Sequence, residues 1–238
     1  QDMHVHILLD VSRSLHWQPG AIVGSSSPSL EKFRLSHHLA ATVSCMVLHN
    51  SDRVHLYFID DKITQQHHAR RNRLAVQEAF KFLNSANSYP SQARQNTKFK
   101  NTFREFIRQS PPPGPLIIIS DFFDPDFSEK KNTLEIFRQL RAARLETTLL
   151  QTLHAEELNP THTSLPTGEI LLKDHETGQQ RNTFSSHELI AAYRKKIRQF
   201  NENLAASARA CGFGCSQINT GQHLDKNIFR LLRESRLF

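Results

Sequence analysis

Short apolar runs alternate along this chain with longer stretches in which apolar residues recur at helical spacing. The apolar runs predict strands over Met3–Leu9, Arg53–Ile59, Leu116–Ser120, Thr147–Leu153 and Phe213–Ile218. Residues 115–120 (PLIIIS) are almost continuously branched and apolar, which is typical of a strand covered on both faces. A turn at Asp60 and Asp61 precedes Lys62–Gln66, which we expect to form a short antiparallel edge strand.

Helices are predicted between these strands. A capping hydroxyl at Ser27 precedes Pro28, a residue favoured at the first helical position, and together they predict a helix that runs to about His49. Ser185–Glu188 has the pattern of a capping box, and the long helix that follows is expected to stop at Gly212. The other predicted helices are Leu74–Leu83, Lys98–Arg108, Thr133–Ala143 and Leu224–Leu237.

Strands that alternate with helices predict an α/β fold, in which a doubly wound, mainly parallel central sheet is flanked by helices. We expect the first strand to lie centrally in the sheet and to end at Asp10. The length of 238 residues suits a single domain of this class. Because the chain starts at Gln1 and enters a strand almost at once, we expect it to be a fragment of a longer protein.

The amino-acid composition says more about the location of the protein than about its function. Three cysteines show no disulfide framework, and no apolar stretch approaches the roughly 18 residues that span a bilayer. We therefore expect a cytoplasmic location, with any membrane anchor upstream of Gln1. The net charge of +7 permits an acidic partner, nucleic acid included.

Oxygen-bearing side chains follow two of the predicted strands. Asp10, Ser12 and Ser14 follow the first strand in the stretch LDVSRSL, and Asp121 follows the strand that ends at Ser120. In open α/β sheets, ligands bind outside the carboxyl ends of the strands, where the strand order reverses. If these two strands are adjacent, both loops face one crevice. Asp-x-Ser-x-Ser taken alone often occurs by chance and is more typical of an ordinary turn than of a metal site.

These side chains are suited to a hard divalent cation such as Mg²⁺ or Mn²⁺, which prefers oxygen ligands. Thr97 precedes the helix that leads into the Asp121 strand and can supply a neutral oxygen from a third loop. Asp124 extends the acidic loop as a group that supports the ligands or as a simple turn residue. Trp17, in the loop after Ser14, is either an anchor for a partner or part of the loop packing.

The ordered set resembles the metal-ion-dependent adhesion site of von Willebrand factor A domains. In that site, Asp-x-Ser-x-Ser follows the first strand, a threonine lies in a middle loop, and an aspartate follows a later strand. The resemblance implies a von Willebrand factor A-like, Rossmann-type fold. It also implies a set of metal ligands, which are Asp10, Ser12, Ser14, Thr97 and Asp121.

Over almost the whole chain the sequence resembles the bacterial family named domain of unknown function 58. The segments LLDVSRSL, NTKF, LIIISDFFDP and LKDHETGQQ follow one another as in that family. Asp52-Arg53-Val54 and the tyrosine-bearing helix around Tyr193 match as well. Leu15 stands where the family usually has methionine, and Asn96 where it often has glycine. Neither position supplies a ligand oxygen from its side chain.

The resemblance implies a metal-dependent protein-binding module in which a partner's carboxylate fills the open coordination position. Genes of the family are commonly associated with a MoxR-type AAA+ ATPase. The resemblance therefore also implies a role in the assembly or maturation of other proteins together with such an ATPase.

An enzyme is not expected, although a metal-dependent hydrolase and a nucleic-acid-binding domain stay open as alternatives. A metal-dependent phosphoesterase of the haloacid-dehalogenase type needs a second aspartate two residues after the first, and Ser12 stands there. A two-metal nuclease needs more carboxylates than Asp10 and Asp121. A basic nucleic-acid-binding domain fits the net charge, but no zinc-finger, helix-turn-helix or Gly-rich aromatic motif supports it.

Overall fold

The apolar runs of the sequence form the strands of a central sheet. The computed structural model of the protein describes residues 3–16, 31–50, 52–69, 74–86, 99–160, 168–173 and 180–220. In these ranges the sheet contains β1 (His4–Asp10), β2 (Arg53–Ile59), β3 (Ile63–Ala69), β4 (Gly114–Ser120), β5 (Leu145–Leu153) and β8 (Gly214–Asn219). A separate antiparallel pair consists of β6 (Gly168–Lys173) and β7 (Gln180–Ser185).

The helices lie between the strands in chain order. A 3₁₀ turn at Arg13–His16 follows β1. The α-helices of the described residues are α1 (Glu31–His49), α2 (Ala75–Ser85), α3 (Phe99–Arg108), α4 (Pro125–Ser128), α5 (Lys130–Ala142), α6 (Ala155–Leu158) and α7 (His187–Ala210). The predicted start of α1 at Ser27 and the predicted helix over Leu224–Leu237 lie outside the described residues.

The strand order of the central sheet is β3-β2-β1-β4-β5-β8. All neighbouring strands are parallel except β2 and β3, which are antiparallel. The predicted α/β fold with a mainly parallel sheet is therefore confirmed, and so is the central position of the first strand. The strand order reverses at β1, because β2 lies on one side of it and β4 on the other.

Both faces of the sheet are buried. Val5, Ile7 and Leu9 on β1 belong to the apolar core that includes residues of α1 and α2. Leu8 points to the opposite face, where the core includes aromatic side chains of α3 and α5 such as Phe103 and Phe137. Since successive side chains of a strand alternate between faces, a strand covered on both sides reads as a continuous apolar run.

The boundaries of some elements differ from the prediction. β4 starts at Gly114 and β5 at Leu145, each two residues earlier than the apolar runs predicted. β3 ends at Ala69, three residues later than predicted. Its exposed polar residues do not form an apolar run, so the pattern did not indicate its full length. The short helices α4 and α6 were not predicted, because each is a single turn.

The ends of α7 show how local chemistry sets a helix. Ser186 is the N-cap and its Oγ accepts a hydrogen bond from Leu189 N at 3.2 Å, so the predicted box that begins at Ser185 is wrong by one residue. Gly212 has a φ of 75° at the other end, which favours glycine. Phe213 N donates to Ala208 O at 2.9 Å and closes the last turn, which confirms the predicted stop.

Candidate functional site

Asp10 ends β1 with a fully buried carboxylate. Its Oδ1 accepts a hydrogen bond from Ser12 N at 2.7 Å. Its Oδ2 accepts from Ser120 Oγ, at the end of the neighbouring strand β4. Ser120 was not predicted as part of the site, because its partner lies 110 residues away in the sequence. The two bonds fix the carboxylate between the loops that leave β1 and β4.

Ser12 and Ser14 lie together in the turn after β1. Their Oγ atoms are 3.0 Å apart, and Ser12 is only 4% exposed. The 3₁₀ turn brings the two hydroxyls together, since Leu15 N donates to Ser12 O at 3.3 Å. The turn thus sets two neutral oxygens beside the Asp10 carboxylate.

Asp121 leaves the end of β4 and is 1% exposed. Its Oδ1 accepts a hydrogen bond from Phe123 N at 3.0 Å. Phe122 between them adopts a φ of 60°, a left-handed conformation that turns the chain sharply after the strand. Phe122 N donates to Ser120 Oγ at 2.9 Å, so one serine braces both the turn and Asp10.

Lys32 supplies a buried positive charge to this site. Its Nζ donates to Asp121 Oδ2 at 2.8 Å and to Glu157 Oε1 at 2.7 Å. Lys32 is 1% exposed and Glu157 is 6% exposed. Neither residue was predicted. A signal was available, because Lys32 lies at helical spacing from the buried Leu35 and Leu39 on the inner face of α1.

Burial and like charge shape the electrostatics of the carboxylates. Burial, and then the negative charge of Asp121, raises the pKa of Asp10 to about 8 against the hydrogen bonds from Ser120 and Ser12. Burial of Lys32 lowers its pKa, but the carboxylates of Asp121 and Glu157 outweigh burial, so that the pKa is raised overall. The ammonium therefore stays charged, while Asp10 lies where a further positive charge would be favoured.

Asp124 connects the site to the start of α3. Its Oδ1 accepts from Asp126 N at 2.6 Å and caps α4, and its Oδ2 accepts from Phe99 N at 3.2 Å. Burial raises its pKa to about 6. Asp124 thus anchors the first residue of α3, two positions after Thr97. Thr97 and Trp17 themselves lie outside the described residues.

The donor set fits a hard cation better than a soft one. In the described part of the chain, no three histidine, cysteine, aspartate or glutamate side chains are placed together to hold a metal. A cation here would instead need the hydroxyls of Ser12 and Ser14 beside the Asp10 carboxylate, which is an oxygen-only set. Asp121 keeps lone pairs beyond its bonds to Lys32 and Phe123, since a carboxylate offers about four acceptor sites.

The architecture is that of an α/β protein with polar loops at the carboxyl ends of two adjacent parallel strands. The chain belongs to the family described as "Protein of unknown function DUF58", whose family model matches residues 1–203. Among curated proteins, none matches this sequence.

Three solved structures are similar to this chain at low sequence identity. The conserved hypothetical protein BatB from Bacteroides thetaiotaomicron is 12% identical with a TM-score of 0.52, over 99% of this chain and 100% of that chain. An aerotolerance-related membrane protein from Bacteroides fragilis, with multiple mutations to serines, is 13% identical with a TM-score of 0.51 over the same shares. The SpRpn10 VWA domain aligns over 96% of this chain and 94% of its own, with 9% identity and a TM-score of 0.48.

At these identities the likeness to BatB and to the aerotolerance-related protein shows the fold alone. Within the described ranges of this chain, no helix is both long enough and apolar enough to cross a membrane.

Proposed function

We propose that this protein is a metal-ion-dependent protein-binding module. In this proposal Asp10, Ser12, Ser14, Thr97 and Asp121 hold Mg²⁺ or Mn²⁺, and an acidic side chain of a partner protein completes the coordination. The observation that carries the proposal is the buried Asp10 carboxylate, whose pKa is raised to about 8 and which lies beside the paired hydroxyls of Ser12 and Ser14. When bound, the cation would supply the positive charge that joins the two proteins.

The charges of the surrounding residues support an anionic partner. Asp10, Asp121 and Glu157 with Lys32 give three carboxylates and one ammonium, a formal charge of −2 when all are ionised. A divalent ion would neutralise this charge, so that a further carboxylate could approach without net repulsion. Lys32 meanwhile holds Asp121 in one orientation through a bond of 2.8 Å.

The family resemblance suggests a MoxR-type AAA+ ATPase as the partner. In that case the protein would serve the assembly or maturation of other proteins alongside the ATPase. The fold is compatible with this role, because the candidate site lies at the end of the sheet in loops, where binding residues are commonly presented.

A second candidate function, metal-dependent phosphoester hydrolysis, is favoured by one observation. His16 lies in the same turn as Ser12 and Ser14, and its Nδ1 contacts Ser12 O at 3.3 Å. Burial lowers the pKa of His16, which keeps the imidazole neutral at physiological pH. A neutral imidazole near a cation could accept a proton from a coordinated water.

Ser12→Ala tests the binding proposal. Removal of one hydroxyl ligand should weaken Mg²⁺ or Mn²⁺ binding by at least about tenfold, as changes around metal sites commonly do. Calorimetric titration with each metal measures this, with the exposed Ser128→Ala as the matched control. The thermal midpoint without metal should fall only slightly, because the change removes the contacts of the hydroxyl with Ser14 and Asp10 but no part of the apolar core.

A second experiment measures association with a MoxR-type ATPase from the same genome, with and without chelator. Association should weaken in chelator and in Ser12→Ala, but not in Ser128→Ala. Equal association in all conditions would contradict the proposal. Metal-dependent hydrolysis of p-nitrophenyl phosphate that is lost in both Asp10→Ala and His16→Gln would replace it with the phosphoesterase.

A further inference from the structure

A basic groove lies between α7 and β8, the last strand of the described sheet. Its cavity measures about 540 Å³, within the usual range for ligand sites. Its described lining includes three arginines and four side-chain amides, among them Arg194, Arg198, Arg209, Gln151, Asn201 and Gln217. Asp10, Ser12, Ser14 and Asp121 do not line it.

Gln151 joins this groove to the candidate site. The residue is 2% exposed, and its Nε2 donates to Asp121 O at 3.2 Å and to Asn201 Oδ1 at 3.0 Å. On the other side, Leu158 lines the groove directly after Glu157, the partner of Lys32. A ligand in the groove would therefore lie next to the loop that carries Asp121 and to α6, which carries Glu157.

The arginines are held along the groove by α7. Arg194 and Arg198 lie one helical turn apart, and Arg194 Nη2 donates to Pro160 O at 2.9 Å. Arg198 and Arg209 are exposed. Arg209 and Cys215 both line the groove. The cationic groups thus follow the length of the groove.

The chemistry of the lining favours an acidic peptide. In the part of the lining that the structure describes, three arginines and Glu202 give a formal charge of +2. Guanidinium groups bind carboxylates in a bidentate manner, and side-chain amides can both donate to and accept from a peptide backbone. Among the described residues that line the groove none is aromatic, whereas grooves for single-stranded nucleic acids commonly stack bases on aromatic rings.

We propose that this groove binds an acidic, extended segment of the partner protein. Carboxylates of the segment pair with Arg198 and Arg209, and its backbone bonds to the amides of Asn201 and Gln217. The inference rests on the proposed function in one respect, since the segment belongs to the protein whose carboxylate completes the metal site. The groove thereby adds a second, metal-independent contact to the same partner.

The test measures binding of a fluorescein-labelled oligo-glutamate peptide by anisotropy, in chelator and then in Mg²⁺. The double variant Arg198→Gln/Arg209→Gln should lose at least about tenfold in affinity in chelator, since each arginine acts as an interface anchor. The matched control, Lys195→Gln/Lys196→Gln, removes the same charge from exposed positions of α7 outside the groove. It should lose far less. Arg194 is left in place because it also bonds to Pro160 O.

Two outcomes would overturn the proposal. Equal losses in the arginine and lysine variants would show general attraction to a basic protein. Tighter, arginine-dependent binding of oligothymidylate than of oligo-glutamate would assign the groove to nucleic acid.

Failure of the metal proposal is separable. If Ser12→Ala and chelator change nothing while the arginine variant loses peptide binding, the groove stands and the metal-dependent function falls. If the arginine variant binds peptide normally while Mg²⁺ strengthens association only with an intact Ser12, the metal-dependent function stands and the groove proposal falls.

Discussion

At the scale of single residues, Lys32 is the feature that most changes the interpretation of the site. A lysine with 1% exposure would be very unfavourable without partners, and here two carboxylates supply them at 2.8 and 2.7 Å. The ion triplet joins α1, the loop after β4 and α6. Tyr193 OH extends it to α7, because the hydroxyl donates to Glu157 O at 3.0 Å. The charge of Asp121 is thus balanced within the protein.

Lys32→Met should destabilise the protein by about 3–5 kcal/mol, because it leaves Asp121 and Glu157 buried without their cation. Urea denaturation at neutral pH measures the change in the free energy of unfolding. The exposed Lys81→Met is the control and should change stability by no more than about 0.5 kcal/mol.

Should Lys32→Met not fold, the double variant Lys32→Met/Glu157→Gln provides a second test of the ion triplet. Removing one of the two unpaired carboxylates should recover part of the loss, because the groups form one network. A double variant less stable than the sum of the single changes would contradict this account of the triplet.

At the scale of elements, the packing of β4 against β1 depends on a glycine. A Cβ built on Gly114 would lie 2.1 Å from His4 O, a backbone atom that cannot rotate away. Gly114 opens β4, the strand that carries Ser120 and leads into Asp121. The close approach of the two strands at this end therefore contributes to the alignment of the candidate site at the other end.

Gly114→Ala should destabilise the protein by about 1–3 kcal/mol, as overpacking of a well-filled core commonly does. Chemical denaturation measures the loss. Gly168→Ala is the comparison, since Gly168 also has a positive φ, of 131°, but no atom of the described residues lies within 4 Å of its Cβ position. A loss at Gly168 as large as that at Gly114 would show that backbone conformation, and not the contact with His4, sets the effect.

At the scale of the whole molecule, a chain of histidines crosses the sheet at the end opposite the candidate site. His4 Nδ1 lies 2.9 Å from His55 Nε2, and His55 Nδ1 lies 2.8 Å from His68 Nδ1, so the three rings connect β1, β2 and β3. The ring of His6 stacks on that of His55 with centroids 4.7 Å apart. Burial first, and then the neighbouring rings, lowers the pKa of His55 to about 3.

Acid should therefore destabilise the folded state. Burial lowers the pKa of His6 to about 4, against about 6.5 in an unfolded chain, so unfolding takes up a proton between these values. The contribution of His6 is complete above about pH 6.5 and falls as the pH drops towards 4, by about 3 kcal/mol in total.

The measurement compares urea denaturation of the unmodified protein and of His6→Gln from pH 7 to pH 4.5. The variant should lose less stability over this range, with the exposed His38→Gln as control. Parallel curves for His6→Gln and the unmodified protein would contradict the assignment.

The sequence by itself determined the strands of the central sheet and four residues of the candidate site. Burial on two faces leaves a continuous apolar run, and for this reason PLIIIS marked β4 and the run after Met3 marked β1. Asp10, Ser12, Ser14 and Asp121 could be found because polar side chains directly follow these runs. Their role as metal ligands stays a prediction.

Only the tertiary structure decided which residues meet across the sheet. Lys32 and Asp121 are 89 residues apart in the sequence, and Lys32 and Glu157 are 125 apart. The hydrogen bond from Ser120 to Asp10 also joins residues that are far apart in the sequence, and so does the groove that brings the arginines of α7 beside Gln151. The periodicity of apolar residues shows on which face of its own helix or strand a residue lies. The strand order decides which residues of other elements are its neighbours, and that order follows from packing of the whole chain.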